Sequence, residues 1–278
     1  MHSLHGRVAL VTGASRGVGK GIALGLGEAG ATVYLTGRTV QPGGSPGGMG
    51  DTLQAAAAEV TAAGGQGIAA PCDHTDDEQV RSLFARIEAD HGRLDLLVNN
   101  VWGGYEHFYD GTKFWEEQGF WTTPLSRWDK SFDAGVRAHY VASVLAAPIM
   151  IRQGSGLIVN ISFFAAGRDD RGVIYGVAKN ADDRMAACMA HELRPHNVAA
   201  VSLYPGLVRT ESVLAAAHFD MSNSESPQFI GRAVAALAAD PQIMQKSGQV
   251  LVAAQVALDY GFTDIDGKQP RPVTVAEL

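Results

Sequence analysis

Tyr175 and Lys179 end the stretch Tyr175-Gly176-Val177-Ala178-Lys179, four positions apart. On a helix that spacing stacks the two side chains on one face. A phenol beside an ammonium is a proton-handling pair. An unperturbed tyrosine titrates near pH ~10 and is a poor donor or acceptor at neutrality. A neighbouring cation favours the phenolate and lowers that value toward the working range. The same pattern arises by chance on solvated helices, so its meaning rests on what the rest of the chain places beside it.

A second set of residues has the spacing of an anion cradle. Arg7 to Val11 is a short apolar run, the pattern of a strand buried on both faces of a parallel sheet. Thr12-Gly13-Ala14-Ser15-Arg16-Gly17-Val18-Gly19 follows directly, and then a helical pattern with Val18, Ile22 and Leu26 on one face. In that setting Gly13 allows the tight turn, Gly17 lets the backbone approach a pyrophosphate, and Gly19 permits close helix packing. Ser15, Arg16 and Val18 complete the loop, and the helix N-terminus offers its free N–H groups to phosphate. The spacing is Gly-x-x-x-Gly-x-Gly, a variant of the commoner dinucleotide loop. After the second apolar run, Thr32 to Leu35, the chain reads Thr36-Gly37-Arg38-Thr39, with no carboxylate to take ribose hydroxyls. Arg38, with Arg16, would instead hold a 2′-phosphate, which favours NADP(H) over NAD(H); two solvent-facing arginines are the alternative.

The elements that must position these residues alternate along the chain. Further strands are expected at 67–71, 94–98, 157–161, 198–203 and 249–252. Helices are expected at about 51–63 (with Asp51 as N-cap), 76–91, 127–153 (perturbed near Pro148), 175–195 and 228–239. No repeat or linker divides residues 1–278. The pattern predicts an α/β fold: a single-domain, doubly wound parallel sheet of Rossmann type, about seven strands with helices on both faces. Ligands of such sheets gather beyond the carboxyl ends of the strands, where Asn99 and Asn100 emerge. Gly43-Gly44-Ser45-Pro46-Gly47 has the spacing of a hydrolase elbow but lacks the flanking strand and helix. Residues 102–127 form an aromatic-rich loop suited to walling an apolar pocket, an oligomer contact or a local cluster.

Composition narrows the class. A content of 46% hydrophobic and 18% charged residues fits a globular chain with a sizeable core. A net charge of −7 argues against nucleic acid as partner. No uninterrupted run of about eighteen apolar residues marks a membrane span. Met1 to Gly6 runs straight into the first strand without a signal-like segment. Cys72 and Cys188 share no metal-like spacing and no metal is expected; the two thiols suit a reducing cytoplasm.

Taken together, Thr12-Gly13-x-x-x-Gly17-x-Gly19, Asn99-Asn100, and Ser162 thirteen residues before Tyr175-x-x-x-Lys179 resemble the short-chain dehydrogenase/reductase family over nearly the whole chain. The resemblance implies an NAD(P)(H)-linked oxidoreductase of alcohols and carbonyls. It makes Tyr175 the general acid in reduction and the base in oxidation. Lys179 then tunes the phenol and holds the nicotinamide ribose, and Ser162 hydrogen-bonds the substrate oxygen. Asp73 takes the place of the adenine contact, and Asn99 that of the cofactor-binding and sheet-stabilising residue. Pro205, Gly206, Val208 and Thr210 match the loop around the nicotinamide carboxamide. One position departs: many relatives carry an Asn that anchors a relay water near the lysine, and Gly135 stands there in Phe132-Asp133-Ala134-Gly135-Val136-Arg137. Water held by backbone carbonyls in the space freed by the glycine is the expected substitute.

These readings converge on an NADPH-preferring carbonyl reductase, running in reverse as an alcohol dehydrogenase. A small apolar carbonyl or alcohol is the expected substrate, and a homodimer or homotetramer the expected assembly. A low-activity NADP(H)-binding sensor or scaffold is the alternative, favoured by the missing Asn and disfavoured by the intact Ser162, Tyr175 and Lys179.

Overall fold

The computed structural model describes residues 3–44, 52–104, 119–216, 219–274 and residue 277. Its first half runs β1 (Val8–Val11), α1 (Gly17–Glu28), β2 (Thr32–Gly37), α2 (Leu53–Ala62), β3 (Gln66–Pro71), α3 (Asp77–His91) and β4 (Leu96–Asn99). After α4 (Leu125–Ser131) a π-helical turn, Phe132–Arg137, leads into α5 (Ala138–Gln153). The second half continues β5 (Gly156–Ile161), α6 (Val173–Leu193), β6 (Val198–Tyr204), α7 (Glu211–Ala216), α8 (Pro227–Ala239), β7 (Val250–Val252) and α9 (Ala253–Tyr260).

The seven strands pair in parallel in the order β3-β2-β1-β4-β5-β6-β7. Side chains alternate across a strand, so each strand feeds two cores. Ala9, Val11, Val33, Val98, Val159 and Val201 face the layer of α1, α2, α8 and α9. Val8, Leu10, Tyr34, Leu97, Ile158 and Ala200 face α3, α5 and α6. Both faces are therefore covered, as an all-parallel sheet requires. The order reverses direction between β1 and β4, and the crevice beyond the carboxyl ends of those strands is where the glycine loop and Asn99–Val101 emerge.

Several local expectations are corrected. The N-cap of α2 is Thr52, whose hydroxyl accepts Ala55 N–H at 3.1 Å; Asp51 and Ser45 lie outside the described residues, as do residues 105–118 of the aromatic loop. Pro148 does not interrupt α5, which runs through it; the irregularity falls earlier, in the π turn around Gly135. The helix carrying Tyr175 begins at Val173, two residues sooner than expected. Leu125–Gln153 is long and apolar enough to cross a membrane by length and composition, with half of its apolar window buried. Ala142, Ala146, Ile149 and Met150 on it pack against the sheet, which accounts for that apolarity as a core helix.

Candidate active site

The glycine loop turns from β1 into α1 with Gly13 at φ +68° and Gly17 at φ +56°, conformations that favour glycine. A Cβ on Gly19 would lie 2.2 Å from Gly13 O, so the helix can approach its own turn this closely only without a side chain. Asn100 fixes the loop from β4: its Nδ2 donates to Thr12 O (2.9 Å) and Gly13 O (3.0 Å). Arg16 is the N-cap of α1 and makes no side-chain cap, and the first turn holds no acidic residue. Its N–H groups thus face the crevice, and the Glu211 carboxylate reaches to 3.5 Å from Gly17 N. Ser15 is buried against Gly37 at the end of β2, and Val18 packs on the core. Donors, glycine backbone and helix N-terminus together fit a dinucleotide pyrophosphate.

Arg38, half exposed just past β2, lies 3.9 Å from Asp73 Oδ2, the outer limit of an ion pair. Asp73 Oδ1 accepts from Thr75 N (3.0 Å) and Oγ1 (2.7 Å). Burial raises the Asp73 carboxyl, but the Thr75 bonds and the Arg38 and His74 charges outweigh it and hold it below the ordinary range. Asn99 is fully buried, and its Nδ2 donates to Ser143 Oγ (3.0 Å) and Asn160 Oδ1 (2.9 Å). That side chain stitches β4 to β5 and α5, the sheet-stabilising half of its expected role.

Ser162 directly follows β5, and its hydroxyl donates to Lys179 O at 3.1 Å. Tyr175 is partly buried on the third residue of α6, with Lys179 buried one turn on. The Lys179 ammonium donates to Ile161 O (3.0 Å) and Asp182 Oδ2 (3.3 Å) and lies 4.4 Å from the centre of the Trp102 indole. Asp182 Oδ1 meets His139 Nδ1 at 2.8 Å, and His139 Nε2 lies 3.0 Å from Val101 O. Burial raises the Asp182 carboxyl, but His139 and Lys179 beside it prevail and hold it low. Burial, reinforced by His139, pushes the nearby His74 down to about 4.

Trp102 is the hinge of this cluster. Its ring packs edge-on to Tyr175 (5.6 Å, 69°) and covers Gly135, where a Cβ would meet indole carbons at 2.7 Å. The space beside Gly135 is therefore filled by the indole, and the expected pocket for a relay water there is overturned. Phe163 flanks the other side of Tyr175 at 6.1 Å. Of the aromatic loop, Trp102 alone among the described residues packs on Tyr175; Phe120 and Trp121 pair with each other in solvent, 64% and 74% exposed.

Pro205, Gly206, Val208 and Thr210 leave β6 toward the glycine loop, Thr210 Cγ2 lying 3.6 Å from where a Gly17 Cβ would be. The buried Glu225 holds this segment: Gly206 N donates to its carboxylate at 2.7 Å, and Val208 bridges its backbone. Tyr204 donates its hydroxyl to Asp183, whose carboxyl burial pushes up. Trp102, His139, Asp182, Asp183 and Glu225 were not singled out from sequence. The available signal was ionisable residues at helical spacing from known ones: Asp182 three after Lys179, and His139 four after Gly135.

Residues 7–219 match the family model described as short chain dehydrogenase. The chain is 42% and 41% identical to dehydrogenase/reductase SDR family member 1 of Mus musculus and Homo sapiens, over 95% of this chain and 85% of each relative. A solved 7α-hydroxysteroid dehydrogenase complexed with NADH and 7-oxo glycochenodeoxycholic acid superposes with TM-score 0.73 at 25% identity, over 90% of this chain and 93% of that one. A metagenomic short-chain oxidoreductase in complex with NADP gives 0.68 at 32% identity, over 90% and 97%. The chain belongs to the short-chain dehydrogenase/reductase family. It is an oxidoreductase acting on CH–OH or C=O groups; of the two solved structures above, one holds NADH and the other NADP.

Proposed function

We propose that the protein is an NADPH-preferring reductase of apolar carbonyl compounds, reversible as an alcohol dehydrogenase, with Tyr175 as general acid and base. The observation that carries this is the buried Lys179 ammonium one helical turn from Tyr175, with Ser162 Oγ on the same turn at Lys179 O. The nicotinamide, when bound, supplies the hydride. Ser162 orients the substrate oxygen and donates to it as charge develops. Tyr175 gives that oxygen its proton, leaving a phenolate that the Lys179 charge stabilises until solvent returns the proton. Gly13 to Gly19 hold the pyrophosphate, Asp73 the adenine, and Pro205 to Thr210 the carboxamide.

Arg38, just past β2, and Arg16, in the glycine loop, support the preference for NADP(H), since the turn after β2 carries no carboxylate. The Arg38–Asp73 contact is long and partly exposed, worth little in itself. Trp102 and Phe163 around Tyr175 support an apolar body next to the carbonyl. Exposed Tyr140 and Val144 on α5, with Val173 and Val177 on α6, support a homodimer or homotetramer. The free thiols Cys72 and Cys188 suit the cytoplasm. The Lys179–Asp182 hydrogen bond weighs against the sensor reading, because it gives the lysine a partner of its own where the family Asn is missing. The test is NADPH consumption by the full chain across ketones, quinones and aldehydes. Turnover of at least one class is expected; tight NADPH binding without any turnover would contradict the proposal.

A further inference from the structure

Three buried ionisable side chains, Lys179, Asp182 and His139, form one closed circuit with Trp102. Lys179 bonds Asp182, Asp182 meets His139, His139 reaches Val101 O, and the next residue, Trp102, lies over Lys179. Asp182 is 0% and His139 1% exposed. A buried carboxylate is kept only where it is paired and hydrogen-bonded, and here both its oxygens are spent, one on the lysine and one on the histidine. Both His139 nitrogens face oxygens of acceptor groups, Asp182 Oδ1 and Val101 O. The ring is thereby held at both nitrogens. The pair reaches out to the Lys179 ammonium on one side and to Val101 O on the other. Gly135 and His139 sit a turn apart: the glycine admits the indole, and the histidine fixes the strand end that carries it.

We propose that the His139–Asp182 pair is the positioning device for Lys179, holding its ammonium between Ile161 O and the Trp102 face and replacing the Asn-anchored water of other family members. The proposal rests on the reading of Tyr175 and Lys179 given above and deepens it. Asp182 and His139 act through the lysine, not on the substrate.

The test is a double-mutant cycle on the full chain, read first as NADPH affinity by fluorescence titration. Asp182→Asn is expected to weaken NADPH binding roughly tenfold when Lys179 is present, and by less than about twofold in a Lys179→Met background. Equal losses in both backgrounds, or none in either, would overturn the proposal, because a merely structural residue does not depend on the lysine. Thermal melts establish that each variant folds. Should Asp182→Asn fail to melt cooperatively, His139→Gln carries the same comparison with the same expected and contrary results. With a carbonyl that the wild type reduces, Asp182→Asn should lower kcat while leaving the carbonyl KM within about twofold; a change in KM alone would count against a role through Lys179. A wild type that binds NADPH but reduces no carbonyl would defeat the catalytic reading, and the binding cycle would still decide the pair.

Discussion

Gly135 and Trp102 occupy one space: a Cβ on the glycine would lie 2.7 Å from Cε3 and Cζ3 of the indole. Alanine in a helix is ordinarily favoured over glycine by about 1 kcal/mol. Overpacking of this kind costs about 1–3 kcal/mol, so the clash outweighs the propensity. Gly135→Ala is expected to destabilise the chain in denaturant unfolding, and Trp102→Ala in the same chain to recover most of that loss. A Gly135→Ala effect that is independent of residue 102 would show that the two do not share the space.

The glycine loop, Ser162, Tyr175 and Lys179 were legible because their spacing answers to backbone demands: a strand, a tight turn, a helical turn. All seven strands were placed to within two residues of where they lie. What could not be read was how Lys179 is held. Trp102, His139 and Asp182 come from the end of β4, the start of α5 and the middle of α6, and only the sheet order brings them together. The irregularity of the long helix was assigned to Pro148 from its missing N–H, yet α5 absorbs that proline, and the π turn lies at Gly135, against the Trp102 indole. Likewise an aromatic loop read from composition contributes Trp102 to the site, while Phe120 and Trp121 stand in solvent.

Glu225 gives the stability a pH dependence. Burial lifts its carboxyl most, the Gly206 N–H and Arg209 pull it back, Asp264 adds to the rise, and it comes to about 7 from an ordinary 4.5. Between those values the folded chain keeps a proton that the unfolded chain has lost. The contribution is therefore complete below about pH 4.5 and lost as pH rises through about 7, on the order of 3 kcal/mol. Glu225→Gln stays neutral throughout, so the wild type should lose stability relative to it between about pH 5 and pH 8. Parallel melting curves for the two proteins would contradict this.

Arg38 should separate the two cofactors. Arg38→Ala is expected to raise the KM for NADPH roughly tenfold or more and that for NADH less than about twofold, since only the former offers the guanidinium a phosphate. Equal increases would remove the assignment of NADP(H).

The central claim is that Tyr175 carries the proton, and Tyr175→Phe measures it most directly. The phenylalanine keeps the ring against Trp102 and Phe163 and removes only the hydroxyl. Assayed with a carbonyl that the wild type reduces, alongside NADPH titration, the variant should lose roughly a hundredfold or more in kcat while binding NADPH as the wild type does. Turnover close to that of the wild type, with binding intact, would contradict the account.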